Sequence, residues 1–151
     1  MKKEEIDRLI KFGKIRARQK DMERIKSLVS SALTNADVAK GIALDEKSAT
    51  LVFREIYESI RQLGDAKWWL FGYEPLDHEI SLETLKEMKI KEQVRLNHLD
   101  RFRKIRNDAN YRGFRVSVSQ TEEMLEFWNK CGKEIAAFLT KQAKAGESGT
   151  Q

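Results

Sequence analysis

Apolar residues recur along this chain at steps of three and four, the period of a helix that buries one face. Between Asp21 and Ala43 the stripe is Met22, Ile25, Val29, Ala32, Leu33 and Ala36. A second stripe, Ala49, Val52, Phe53, Ile56, Ile60 and Leu63, follows Asp45, whose carboxylate suits an N-cap, and runs to the breakers Gly72 and Pro75. Val94, Phe102, Ile105 and Ala109 mark a third long helix that ends near Gly113. Met124, Trp128, Cys131, Ile135 and Phe138 mark a fourth, entered through a short turn at Val116 and Val118, with Ser119 and Glu122 at capping-box spacing.

Shorter elements fill the gaps. Ile6, Leu9 and Ile10 predict a short helix before the basic residues Lys11, Lys14, Arg16, Arg18 and Lys20, with Gly13 between them. Residues 72–78 read as a loop, after which Ser81 caps a short helix carrying Leu82, Leu85 and Met88. The expectation is an all-α fold, an antiparallel bundle of four long helices plus one or two short ones. Its divisions are a basic N-terminal helical extension over 1–20, the bundle over 21–141 and a disordered tail over 142–151.

Composition narrows this picture. The 151 residues allow one core of ordinary size, 35% are charged, and a single proline leaves few forced helix ends. A formal net charge of +5 favours an anionic partner without fixing which. Cys131, the only cysteine, excludes an intramolecular disulfide and a cysteine-based zinc cage, and reads as a small buried residue. Acidic residues at positions 4, 5 and 7 argue against a signal peptide, and no apolar run reaches the ~18 residues of a membrane span. A cytoplasmic location without membrane contact is therefore the default expectation. No phosphate-cradling glycine loop and no HExxH pair occurs, so no metal or cofactor is expected.

Candidate chemistry gathers on the third long helix, where Arg95, Arg101, Arg103, Lys104, Arg106, Arg112 and Arg115 offer guanidinium forks suited to phosphate. A solvated face paired with acidic neighbours is the competing reading. Arg106 and Asn110, four residues apart, share a helical face, as do Asn107 and Tyr111. His78 and His98 are ordinary loop or surface histidines on spacing alone, and Trp68, Trp69, Phe71 and Tyr73 continue an apolar face suited to packing.

The run Arg106-Asn107-Asp108-Ala109-Asn110-Tyr111 resembles the Arg-x4-6-His signature of HEPN domains, the higher eukaryote and prokaryote nucleotide-binding family. Residues 53–63 and the loop through Pro75 resemble that family's second helix and following loop, so the resemblance spans about Asp21 to Leu139. It implies a homodimer lining one cleft with two copies of the motif. It also implies RNA or nucleotide binding, with Arg106, Tyr111, Asn107 and Asp108 as the central residues and Arg103, Asn110, Arg112 and Arg95 as further contacts. Tyr111 stands where the family has histidine; a phenol titrating near 10 is a far poorer base at neutral pH than an imidazole near 6.5. Arg106…Ala109-Asn110-Tyr111 is closer to a variant of the family found beside small nucleotidyltransferases. The reading that follows is a nucleotide- or RNA-binding partner of such an enzyme in a toxin–antitoxin-like pair. The alternatives are a metal-independent ribonuclease and a non-catalytic helical interaction module.

Overall fold

A computed structural model describes residues 1–148. The chain is mostly helical: α1 (Lys3–Lys11), α2 (Met22–Lys40), α3 (Ala49–Leu70), α4 (His78–Leu85), α5 (Leu99–Arg112), α6 (Val118–Phe127) and α7 (Lys133–Ser148). Two short strands, β1 (Ile15–Ala17) and β2 (Tyr73–Pro75), form an antiparallel ribbon with Arg16 opposite Glu74. A 3-10 turn over Gln93–His98 leads into α5, and a π-helical turn over Trp128–Gly132 joins α6 to α7.

The long helices form where the apolar period places them. In α3 the buried residues Val52, Phe53, Ile56, Ile60 and Leu63 face a core shared with Ile25, Val29, Ala32 and Ala36 of α2 and with Ile135 and Leu139 of α7. Phe53, Phe102 and Phe127 meet edge to face, with centroids 6.0 Å and 5.4 Å apart, and so tie α3, α5 and α6 together. Fully buried aromatic side chains of this kind are each worth about 3–5 kcal/mol against truncation to alanine. The stripes also contain outliers: Val94 is 80% exposed, and Leu33 and Phe138 lie on the surface. Cys131 is buried in the π-helical turn, where loss of solvent pushes its thiol up to about 11.

Several local expectations change. The extension over 1–20 is not helical throughout: after α1 the chain enters β1, where Ile15 is buried against Trp68 and Ile80. The basic side chains there pair with acids across the ribbon. Arg16 Nε and Arg18 Nε donate to Glu74 at 2.6 and 2.9 Å, which holds the Glu74 carboxyl down at about 2, and Lys14 pairs with Asp77. Asp77, not Ser81, caps α4, accepting from Glu79 N at 2.8 Å; Ser81 lies inside the helix, fully buried, and donates to Asp65. The capping box of α6 is Ser117 with Gln120, two residues ahead of the Ser119–Glu122 pair, because Ser117 holds the extended conformation a cap needs. The tail expected from residue 142 is helical through Ser148, since Ala143 is buried in the core and Glu147 pairs with Lys26 at 2.5 Å. Residues 149–151 of that expected tail lie outside the described residues.

Among the described residues no helix is long and apolar enough to cross a membrane.

Candidate functional site

The position of α5 is fixed at both ends. Phe102 is fully buried, and Ile105 and Ala109 pack against the core one and two turns later. The helix stops at Gly113, whose φ of +68° is left-handed and whose N–H returns to Asp108 O. Beyond it Arg115 donates to the carbonyls of Glu46 and Lys47 at 3.2 and 2.8 Å, and Val116 N donates to Thr50 Oγ1 at 3.0 Å. The C-terminal half of α5 is thereby pinned to the start of α3.

On this frame Arg106 comes to lie against α3. Its guanidinium sits over the buried Tyr57 ring, 5.4 Å from the centroid, and its side chain keeps 22% of its exposure. Its acceptors are distant: Glu58 Oε1 at 3.6 Å and Asn107 Oδ1 at 3.3 Å. Burial pushes the Tyr57 phenol up, with Arg106 pulling in the opposite direction, and its ring is a platform for the cation.

Neighbouring charges form a chain along α3. Arg61 bonds Glu58 and Asp65, each at 2.9 Å, and Asp65 accepts from Ser81. Burial raises the Asp65 carboxyl, opposed by the Ser81 hydroxyl and by Arg61 and His78. Arg103, one turn before Arg106, pairs with Glu79 of α4 at 2.7 Å. His78 opens α4 beside that glutamate.

Of the residues singled out in the sequence, Arg103, Arg106 and Asn107 are brought together here. Asp108 belongs to the helix end, where its carbonyl accepts from Gly113 N and Phe114 N and its carboxylate lies 3.9 Å from Arg112. Arg112 stacks instead on Phe114, with Cζ 4.6 Å from the ring centroid. Tyr111 is 78% exposed, Asn110 is exposed, and neither side chain has a bonded partner among the described residues. Arg95 is held before the other end of α5 by Glu92 and Glu126, both at 3.2 Å, so it does not join the cluster. Arg101 is taken by Glu123. His98 meets the edge of Phe102 at 6.1 Å, on the core side. Tyr57, Glu58 and Glu79 are the participants that spacing on the third helix could not supply. They lie on other elements, and the only sequence signal for them is the charged Glu58, Arg61, Asp65 run at helical steps along the polar edge of α3.

Among the described residues no group of three or more metal-ligating side chains occurs. No family model, curated protein or solved structure matches the chain.

Proposed function

We propose that the chain binds RNA or a nucleotide through the Arg106 face of α5, as the HEPN-like, non-cleaving member of a pair with a small nucleotidyltransferase. The observation that carries this reading is the state of Arg106. Arg95, Arg101 and Arg103 each have a carboxylate within about 3.2 Å. Arg106 is half-buried and pre-oriented on Tyr57, yet its nearest carboxylate oxygen is 3.6 Å away. A planar fork that is already ordered and weakly neutralised loses little entropy on taking a phosphate. Asn107 provides an amide on the same face, and Arg103 a second guanidinium, already paired with Glu79.

In this reading α2, α3, α5 and the α6–α7 pair are the long members of an antiparallel four-helix bundle, and a homodimer would set two Arg106 faces along one cleft. Tyr111, exposed and without a bonded partner, is not held against Arg106, which supports binding over proton transfer.

The test is fluorescence anisotropy of labelled single-stranded RNA and of a labelled nucleotide, with wild type and Arg106→Ala, alongside RNA incubated in EDTA. Arg106→Ala is expected to weaken binding about tenfold, roughly 1.4 kcal/mol, in line with loss of one charge-assisted contact. Equal binding by the two proteins would overturn the reading. Metal-independent cleavage lost in Arg106→Ala would replace it with the ribonuclease.

A further inference from the structure

A separate cavity of about 220 Å³ lies between α1 and the C-terminal end of α3, and is lined by Met1, Ile6, Trp68, Phe71, Tyr73 and Thr84. One wall is buried and held in place, while Met1 and Phe71 stand at its exposed rim. Trp68 is buried and donates its indole N–H to Ile80 O at 2.9 Å, and its ring meets Tyr73 edge on at 6.2 Å. The volume exceeds the ~150 Å³ that holds one benzene ring in an engineered apolar cavity.

The N-terminal ammonium of Met1 is paired with Glu87 at 3.6 Å, but two further polar groups, Thr84 in the wall and Lys67 behind it, have unused capacity. Thr84 is 1% exposed and its hydroxyl has no hydrogen-bond partner. Lys67 is 5% exposed and lies against two of the wall residues, donating from Nζ to Thr84 O and resting 5.5 Å from the Phe71 ring centroid. An ammonium carries three donors, and among the described residues no carboxylate comes within 4.0 Å of this one. Burial accordingly pushes Lys67 below its ordinary value, with Glu87 opposing from a distance. A buried cation without a counter-ion, next to an unpartnered hydroxyl and an aromatic pocket, is complementary to one negative charge attached to an apolar body.

We infer that the cavity binds a small monocarboxylate of aryl or short-acyl size, whose carboxylate accepts from Lys67 Nζ and Thr84 Oγ1 while its apolar part fills the space between Ile6, Trp68, Phe71 and Tyr73. A cation is repelled by Lys67.

The probes are benzoate and hexanoate, with benzyl alcohol as the uncharged control, followed by calorimetric titration of the full chain and by ligand-observed NMR. Wild type is expected to bind benzoate or hexanoate saturably and more tightly than benzyl alcohol. Lys67→Met should weaken benzoate at least tenfold while leaving benzyl alcohol unchanged, and Ile6→Trp, which fills the cavity without touching the charge, should abolish both. Should Lys67→Met fail to fold, Thr84→Val carries the test, with a loss of threefold or more expected. The inference is overturned by absence of saturable carboxylate binding in wild type, by benzyl alcohol binding as well as benzoate, or by unchanged benzoate affinity in the folded variants. Arg106→Ala should leave carboxylate binding untouched, which separates this site from the RNA reading.

Discussion

At the scale of single residues, placement on a second element decides what a side chain can do. Tyr111 and Tyr57 are the same amino acid, yet only Tyr57, buried on α3, meets the guanidinium of Arg106. Gly64 makes the same point for the backbone. In the middle of α3 a glycine costs about 1 kcal/mol of helix propensity relative to alanine. A Cβ there would lie 2.0 Å from Ser81 O and 2.6 Å from its carbonyl carbon, so the α4 backbone rests directly on this position. The obstruction is main chain, which cannot swing aside as a long side chain would. Gly64→Ala should therefore lose about 2–3 kcal/mol net despite its better propensity, because overpacking outweighs the gain. Urea unfolding would measure it, and a stability equal to or above wild type would mean that α4 does not sit this close. The cost reaches the candidate site, since α4 carries Glu79, the partner of Arg103, and Ser81, the donor to Asp65.

At the scale of elements, what was legible in the sequence was whatever a long helical period can encode. The stripes of α2 and α3 and the stop at Gly113 could be read because many residues repeat one signal or because glycine has a backbone meaning of its own. The β1–β2 ribbon could not, since three residues a side are too few for period-two alternation to separate from loop, and its pairing joins Arg16 to Glu74 across 58 residues. The helix beyond residue 141 escaped for a related reason: the buried Ala143 and the Lys26–Glu147 pair help to hold a segment that is largely polar in sequence. Of the site, the arginines of α5 were visible, and the partners that decide which of them is weakly neutralised were not. The end of α5 itself is testable. Gly113 has φ +68°, and nothing lies within 4 Å of a Cβ placed there, so the penalty of Gly113→Ala is conformational and not steric. About 1 kcal/mol, or a fall of roughly 3 °C in Tm, is expected by calorimetry for a chain of this size. An unchanged Tm would show that α5 does not end in a left-handed residue.

At the scale of the whole molecule, the 29 lysines and arginines overstate the field available to an anionic chain, because 24 acids reduce them to a net charge of +5. Much of the basic density is already met: Arg16 and Arg18 by Glu74, Lys14 by Asp77, Arg95 by Glu92 and Glu126, Arg101 by Glu123, and Arg103 by Glu79. Exposed pairs of this kind contribute little to stability, but they do cancel charge locally. RNA binding should then depend on salt through a few phosphates only. For single strands each neutralised phosphate adds about 0.7 to the slope of log K against log salt. Arg106→Ala should accordingly flatten that slope by about 0.7 where one protomer grips the strand. The change should be about 1.4 where a homodimer lays two Arg106 faces on the same RNA, because one substitution then removes two contacts. Anisotropy titrations between low and moderate salt give both slopes, and sedimentation at the same concentrations gives the number of protomers per RNA. A slope indifferent to Arg106→Ala would mean that this guanidinium touches no phosphate, whatever the affinity of the wild type.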